Sequence, residues 1–193
     1  MKVRKAVPGD LPALLALYDE AHRFMCAAGN PHQWTGGYPG RALVAGDIAA
    51  GRQYILEEDG ALLAAFCYEE GPAPEPTYAA IDGVWLRPGP YGVLHRVAVA
   101  GAARGRGAAA ACFAWCFARC GNLRADTHAD NAPMQRALEK AGFVRCGTIR
   151  LADGSPRIAY QKIGGEFCVS PTENAPPARR SSAVALVDKP PCG

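Results

Sequence analysis

The sequence predicts a single domain of the mixed α/β (α+β) class. Its 193 residues fit one compact domain, and a hydrophobic content of 49% is enough to build a core. Segments with strand-like and helix-like patterns alternate along the chain. The clearest local signal is a hairpin, in which the strand patterns of residues 53–58 and 61–69 meet at Asp59-Gly60.

The N-terminal part is predicted to contain a strand, two helices and a long loop. Residues 1–6 form the strand, and Asp10 is a suitable N-cap for a helix over about 11–26, where apolar residues recur at helical spacing. Glycines and prolines predict a loop over residues 29–40. A second helix is expected over about 41–50.

The remainder is predicted to alternate strands and short helices after the hairpin. The expected order is a Pro-rich loop 70–77, strands 78–86 and 92–99, a helix 107–120, a strand 122–128, a helix from Asp130 or Asn131 to Gly142, and strands 145–150 and 156–163. The predicted domain therefore covers residues 1–163. Residues 164–193 contain five prolines and two adjacent glycines, which predicts a flexible Pro-rich C-terminal tail.

Composition excludes several classes of partner. The net charge of +3 and the lack of a long basic run argue against a nucleic-acid-binding protein. The longest nearly apolar run, residues 107–118, is too short for a bilayer span, which needs about 20 residues. Because no apolar signal segment follows the start of the sequence, we expect a cytoplasmic protein with no membrane partner.

Eight cysteines are present, and none forms a Cys-x-x-Cys pair. Cys112, Cys116 and Cys120 have helical spacing, so they could hold a soft metal or face a core as small apolar residues. The core interpretation is much the more frequent, and we expect no metal site.

The strongest local signal for binding is a strand, Leu94–Val99, followed by a Gly-rich entry into a helix. A helix N-terminus presents free N–H groups and a partial positive charge, and glycines let the backbone approach a diphosphate. Arg104 and Arg106 add positive charge beside Gly105 and Gly107. This segment is therefore a candidate phosphate-binding loop.

Two kinds of protein use such a loop. Gly105-x-Gly107-x-x-Ala110, with Asp126 about 20 residues on, partly fits a dinucleotide fingerprint, although that fingerprint opens a parallel βαβ unit. Arg104-x-x-Gly107-x-Ala109 resembles the acetyl-CoA loop of the GNAT superfamily. Residues 131–143, an Asn-led helix ending in Gly-Phe, are also similar to that family.

The resemblance covers about residues 1–163 and implies a mostly antiparallel central sheet flanked by helices. It also implies an N-acetyltransferase that uses acetyl-CoA as co-substrate. The strand backbone at Val97, Ala98 and Val99 would then pair with the pantetheine arm, and Asn131 would reach the cofactor or act simply as an N-cap. The N–H groups that would hold the diphosphate are those of Arg104, Gly105, Arg106, Gly107, Ala108 and Ala109.

Acyl transfer to an amine requires a neutral amine and benefits from a proton for the departing thiolate. Many family members carry a tyrosine for that proton where this chain has Leu138, so Tyr160 is the nearest substitute. Strand alternation places Asp126 on one face with Arg124 and His128, and His95 on one face with Val97 and Val99. His95 and Asp126 are thus the candidate bases, although each could instead have a purely structural role.

Trp34 and Tyr38 lie in the loop where the family usually shapes its acceptor pocket, and they line that pocket or anchor the loop. The acceptor is expected to be a small-molecule or peptide amine. Two alternatives are open, a catalytically silent acyl-CoA-binding module and an NAD-binding oxidoreductase. The oligomeric state is also open, with a homodimer as one option.

Overall fold

A computed structural model describes residues 1–164 of the chain. The elements are, in order, β1 (Lys2–Lys5), α1 (Leu11–Ala27), α2 (Arg41–Ala49), β2 (Gln53–Glu58), β3 (Ala61–Gly71), β4 (Ile81–Gly83), β5 (Tyr91–Val99), α3 (Ala108–Cys120), β6 (Asn122–Thr127), α4 (Ala132–Lys140), β7 (Val144–Arg150) and β8 (Pro156–Ile163). Short 3₁₀ turns occupy Pro8–Asp10, Pro76–Ala79 and Gly101–Ala103. No helix in residues 1–164 is long and apolar enough to cross a membrane.

All eight strands form one sheet in the order β1-β2-β3-β5-β6-β8-β7-β4. Every neighbouring pair is antiparallel except β5 and β6, which run parallel because α3 carries the chain back between them. The predicted mixed, mostly antiparallel sheet flanked by helices is confirmed. The predicted hairpin is present as β2 and β3.

Helices cover both faces of the sheet. On one face α3 and α4 form a core with the sheet, represented by Phe113 and Leu138. On the other face α1 packs through Leu14 and Tyr18 against Ala98 of β5. Cys112 and Cys116 are fully buried in the first core, as the core interpretation of the cysteine row predicted.

A β-bulge interrupts β5. Ala65 of β3 pairs with Ala98 and Cys67 pairs with His95, so Arg96 and Val97 together lie opposite the single residue Phe66. Arg96 has a φ of 51°, in the left-handed region. The extra residue reverses the alternation, so that Val97 faces α3 whereas His95 faces the side of α1. The expectation that His95 shares a face with Val97 and Val99 is therefore wrong.

The predicted strand over residues 78–86 is also wrong. Its first part is the 3₁₀ turn that starts at Pro76, and only the three residues of β4 pair, with β7 at the edge of the sheet. Gly83 is required there because a Cβ would lie 2.2 Å from the Cys146 carbonyl oxygen. Tyr78 is buried in the turn rather than paired in a strand.

Contacts of Asp10 and Gly164, near the two ends of the domain, differ from those expected from the sequence. Asp10 occupies the N-cap position of α1, but its carboxylate accepts from Arg4 and from the Val7 N–H and caps no helical N–H. Gly164, the first residue of the predicted tail, still donates to the Gly121 carbonyl at 2.8 Å. Residues 165–193 lie outside the described part of the chain.

Candidate active site

The parallel strands β5 and β6 separate partway along their length. They pair only from Gly92 to Leu94 on β5 and from Leu123 to Ala125 on β6, and the bulge at Arg96 then turns β5 away. A narrow cavity of about 40 Å³ lies in the gap. Its lining includes Trp34, Leu94, Arg96, Val97, Ala125, Asp126, Asn131 and Leu138.

The predicted phosphate loop lies between β5 and α3. Gly105 and Gly107 have φ values of 77° and 85°, and a Cβ on either would meet no atom within 4 Å. Within residues 1–164, the N–H groups of Gly107 and Ala108–Ala110 have no backbone acceptor. The loop therefore offers open space and unpaired donors at a helix N-terminus, which fits a diphosphate.

The two loop arginines are held by carboxylates. Arg104 donates to Glu20 at 3.1 Å and lies over the Phe24 ring, whereas Arg106 donates to Glu58 at 3.2 Å. Both guanidinium groups thus flank the loop from its two sides. The N–H groups of Arg104 and Arg106 donate to the Gly101 and Ala103 carbonyls, each at 3.2 Å, so within residues 1–164 the unpaired donors at this point include those of Gly107 to Ala110.

Asn131 caps α4, and Asp130 does not. Asn131 Oδ1 accepts from the Met134 N–H at 3.1 Å, and Asn131 Nδ2 donates to Gln33 Oε1 at 2.7 Å. The capping alternative for Asn131 is thus confirmed, while contact with a cofactor remains a prediction. Gln33, which ties the loop of residues 29–40 to α4, had no local signal in the sequence.

His95 and Asp126 come together as predicted, and two further residues complete the group. His95 Nδ1 lies 3.8 Å from Asp126 Oδ2, and His95 Nε2 lies 3.2 Å from Glu75 Oε2. Tyr78 donates to Asp126 at 2.8 Å, so Asp126 is not paired with Arg124. The close approach of His95 and the hydrogen bonds from Thr77 lower the pKa of Glu75 to about 2, against desolvation by burial.

Glu75 and Tyr78 were not predicted. Both come from the Pro-rich segment after β3, where the local sequence holds no sign that a side chain returns to the sheet. The buried hydroxyl of Tyr78 stays protonated, because burial and the charge of Asp126 raise its pKa.

Tyr160 lies elsewhere. It pairs with Ala125, which faces the core beneath α3, whereas Asp126 faces the opposite side of the sheet. Its ring is 1% exposed, and its hydroxyl donates to Glu139 of α4 at 3.3 Å. The sheet therefore separates Tyr160 from His95 and Asp126, and the structure does not bring the three together.

Trp34 anchors the loop and lines the cavity in the strand gap, whereas Tyr38 anchors the loop, and a role of either in binding an acceptor remains a prediction. Trp34 is buried, packs edge to face on Tyr18 and Tyr38, and also lines the gap. The Tyr38 hydroxyl accepts from Arg96 at 3.0 Å and is partly exposed. Anchoring of the loop and lining of the cavity are thus compatible.

Arg96, the bulge residue, is fixed by a buried carboxylate. Asp47 of α2 is 1% exposed and accepts from Arg96 at 2.5 Å and from Arg52 Nε at 2.7 Å. Cys67 lies beside both, and burial raises the pKa of its thiol to about 12. This network connects α2 to the opening between β5 and β6.

A second and larger cavity, of about 550 Å³, lies on the same face as His95. Its lining consists mainly of residues from the Pro-rich segment and the aromatic residues beside it, namely Pro72, Ala73, Glu75, Pro76, Tyr78, Ala79, Trp85, Pro88, Gly89, Tyr91 and Arg124. Tyr78 connects it to the first cavity through its hydrogen bond to Asp126, and Glu75 lies beside His95, which lines neither cavity.

Comparisons with known proteins agree with this geometry. Residues 14–143 match the Acetyltransferase (GNAT) family. A GNAT-family acetyltransferase from Streptococcus agalactiae 2603 is 34% identical and superposes with a TM-score of 0.78, over 86% of this chain and 96% of that one. A comparison with curated proteins gives no match.

Two more distant structures share the fold. A GNAT-family acetyltransferase from Listeria monocytogenes 4b F2365 is 20% identical, with a TM-score of 0.60 over 83% of this chain and 93% of that one. A ribosomal-protein-alanine N-acetyltransferase from Brucella melitensis is 24% identical, with a TM-score of 0.55 over 84% and 99%.

The topology does not support the oxidoreductase alternative, since a dinucleotide fingerprint needs a parallel βαβ sheet and only β5 and β6 are parallel here. The family match covers well over half of the chain, and the fold, the strand gap and the Gly-rich loop agree with it. The chain belongs to the GNAT family of acetyltransferases.

Proposed function

We propose that the protein is an N-acetyltransferase that moves an acetyl group from acetyl-CoA to a primary amine by direct transfer. The proposal is carried by the gap between β5 and β6, which opens beside the unpaired N–H groups at the start of α3. In acetyl-CoA, the diphosphate needs unpaired N–H donors, and the pantetheine arm needs a gap in which strand backbone is free to pair with it.

The residues present fit acetyl-CoA. The N–H groups of Gly107 and Ala108–Ala110 would hold the diphosphate, and the β5 backbone over Val97–Val99 would pair with the pantetheine arm. Asn131, already fixed by its cap, lies at the gap. When bound, acetyl-CoA supplies a thioester that an amine can attack.

Proton transfer would use the face of the sheet opposite to α3, on which His95 lies. His95 lies between two carboxylates, with Asp126 near Nδ1 and Glu75 near Nε2. General-base catalysis needs an imidazole that is held within reach of the proton on the amine. His95 would act as the base, with Asp126 and Glu75 orienting it.

Cysteine chemistry supports direct transfer rather than an acyl-enzyme. No cysteine in residues 1–164 lines either cavity. Burial raises the pKa of Cys112 to about 12, so its thiol stays protonated and is a poor nucleophile.

The test is incubation with acetyl-CoA and a panel of amines, with products identified by mass spectrometry. Acetylated product and intersecting initial-velocity lines are expected, whereas parallel lines would indicate an acyl-enzyme. Binding of acetyl-CoA with no product from any amine would favour the alternative, a catalytically silent acyl-CoA-binding module.

A further inference from the structure

Arg124 is a buried cation that has no anionic partner within residues 1–164. It is 5% exposed, and its guanidinium lies between the rings of Trp85 and Tyr91, at 4.1 and 4.0 Å from their centres. One nitrogen donates to the Arg87 carbonyl at 2.9 Å, while Nε has no partner in the described residues. Asp126, two residues along β6, is engaged by Tyr78 instead.

Such an arrangement is costly for folding alone. A buried charge normally has an opposite charge beside it, and the aromatic faces compensate only in part. Burial also lowers the pKa of Arg124, as expected for a cation that lacks an anion. A planar guanidinium is well suited to a carboxylate, which it can bind with two parallel hydrogen bonds.

The same cavity carries negative charge at another point. Glu75 lines it, keeps its carboxylate at neutral pH and lies 3.2 Å from His95. Arg124 and Asp126 are two residues apart on β6, about 7 Å along the strand. The cavity thus offers one cation, Arg124, and one carboxylate, Glu75, while Asp126 lies next to it and lines the first cavity. Its volume of about 550 Å³ suits a small molecule.

We propose that this cavity binds an acceptor that carries a carboxylate as well as the amine, which is the charge pattern of a free amino acid. The carboxylate lies against Arg124, between Trp85 and Tyr91, and the amine lies at the end with Glu75, His95 and Asp126. Arg124 is then a specificity-determining residue. This inference rests on the proposed function, because it names the class of amine that is acetylated.

The test compares leucine with leucinamide and isopentylamine, and phenylalanine with phenethylamine, over a range of pH so that amine ionisation is separated from recognition. The wild-type protein should acetylate the carboxylate-bearing member with the higher kcat/KM. Arg124→Gln should lower kcat/KM for the amino acids roughly 10- to 100-fold, and change it little for the amines. Calorimetry of leucine binding gives a readout that does not need turnover.

Arg119→Gln is the matched control, because its guanidinium also lies on an aromatic ring, 3.9 Å from the centre of Trp115, but lines neither cavity. If Arg124→Gln does not fold, Arg124→Lys keeps the charge and should retain the preference for amino acids with a higher KM.

The outcomes separate the two proposals. Arg124-dependent leucine binding without any acetylated product overturns the proposed function and supports only the part of this inference that places an amino acid in the cavity. Equal kcat/KM for acids and amines, or leucine binding that Arg124→Gln leaves unchanged, overturns the inference. The absence of leucine and phenylalanine binding overturns it as well.

Discussion

His95 is the proposed base, and its ring nitrogens lie near two carboxylates, with Nε2 3.2 Å from Glu75 and Nδ1 3.8 Å from Asp126. We expect His95→Ala to flatten the limb of kcat/KM that rises with pH. Asp126→Asn should lower kcat while the Kd for acetyl-CoA stays constant, because Asp126 faces away from the α3 core. Steady-state kinetics and calorimetry measure the two effects.

His128→Ala is the control for these variants, because this imidazole accepts from the Asp130 N–H in a turn and lies beside the Asp130 carboxylate rather than beside Asp126 or Glu75. It should leave the pH profile unchanged. If both His95→Ala and Asp126→Asn keep nearly full kcat, the base hypothesis is wrong, and catalysis depends on positioning and solvent.

Glu75 predicts a dependence of stability on acid. Its folded-state pKa of about 2 is below the ordinary value of 4.5, so its carboxylate contributes stability above pH 4.5 that is lost as the pH falls towards 2. Glu75→Gln should therefore lower the Tm at pH 6 more than at pH 3. Thermal unfolding of both proteins measures this difference, and an equal loss at both pH values would contradict it.

At the scale of elements, the start of α3 combines a backbone requirement with the proposed binding of a diphosphate. Gly107 and Gly121 flank α3 at its two ends, both with positive φ and with open space around the missing Cβ. Gly107→Glu should abolish acetyl-CoA binding in calorimetry, because a side chain and a negative charge enter the phosphate cradle.

Gly121→Glu is its matched control. Both changes place a side chain in the left-handed region, so both should cost about 1–2 kcal/mol of folding free energy. Only Gly107→Glu should lose acetyl-CoA. Folded Gly107→Glu with unchanged affinity would exclude this loop as the cofactor site.

The contact between α2 and β5 depends on one carboxylate. Asp47 binds Arg96 and Arg52, and its removal leaves a buried guanidinium unpaired. We expect Asp47→Ala to lower the free energy of unfolding by about 3–5 kcal/mol. Asp19→Ala, at an exposed position of α1, is the control and should have little effect. Urea unfolding distinguishes them, and similar midpoints would contradict the prediction.

At the scale of the whole molecule, β8 is the last strand of the described chain in sequence, and it lies inside the sheet between β6 and β7. A chain that ends at Gly164 should therefore lose less than about 3 °C in Tm, which corresponds to about 1 kcal/mol. A chain that ends at Pro156 lacks the buried Tyr160 and should not fold. A large loss of Tm in the chain that ends at Gly164 would show that the domain extends beyond residue 164.

Local signals were sufficient for most of the fold. Asp59-Gly60 predicted the position of the β2–β3 hairpin, and the Gly-rich segment before α3 predicted where that helix starts. Both signals consist of adjacent residues. The strand predicted over residues 78–86 failed because a turn beginning at Pro76 buries Tyr78 against residues distant in sequence.

The sequence by itself determined the class of fold, the Gly-rich entry into α3 and the presence of a cap at Asp130 or Asn131, since turns and caps depend on residues within a few positions of one another. Only the tertiary structure decided which side chains share a site. One bulge residue, Arg96, reverses the alternation along β5 and separates His95 from Val97. The pairing of Ala125 with Tyr160 places that tyrosine on the far face, while the Pro-rich segment returns Glu75 to His95. Long-range register and packing set these positions, and neither has a local signature.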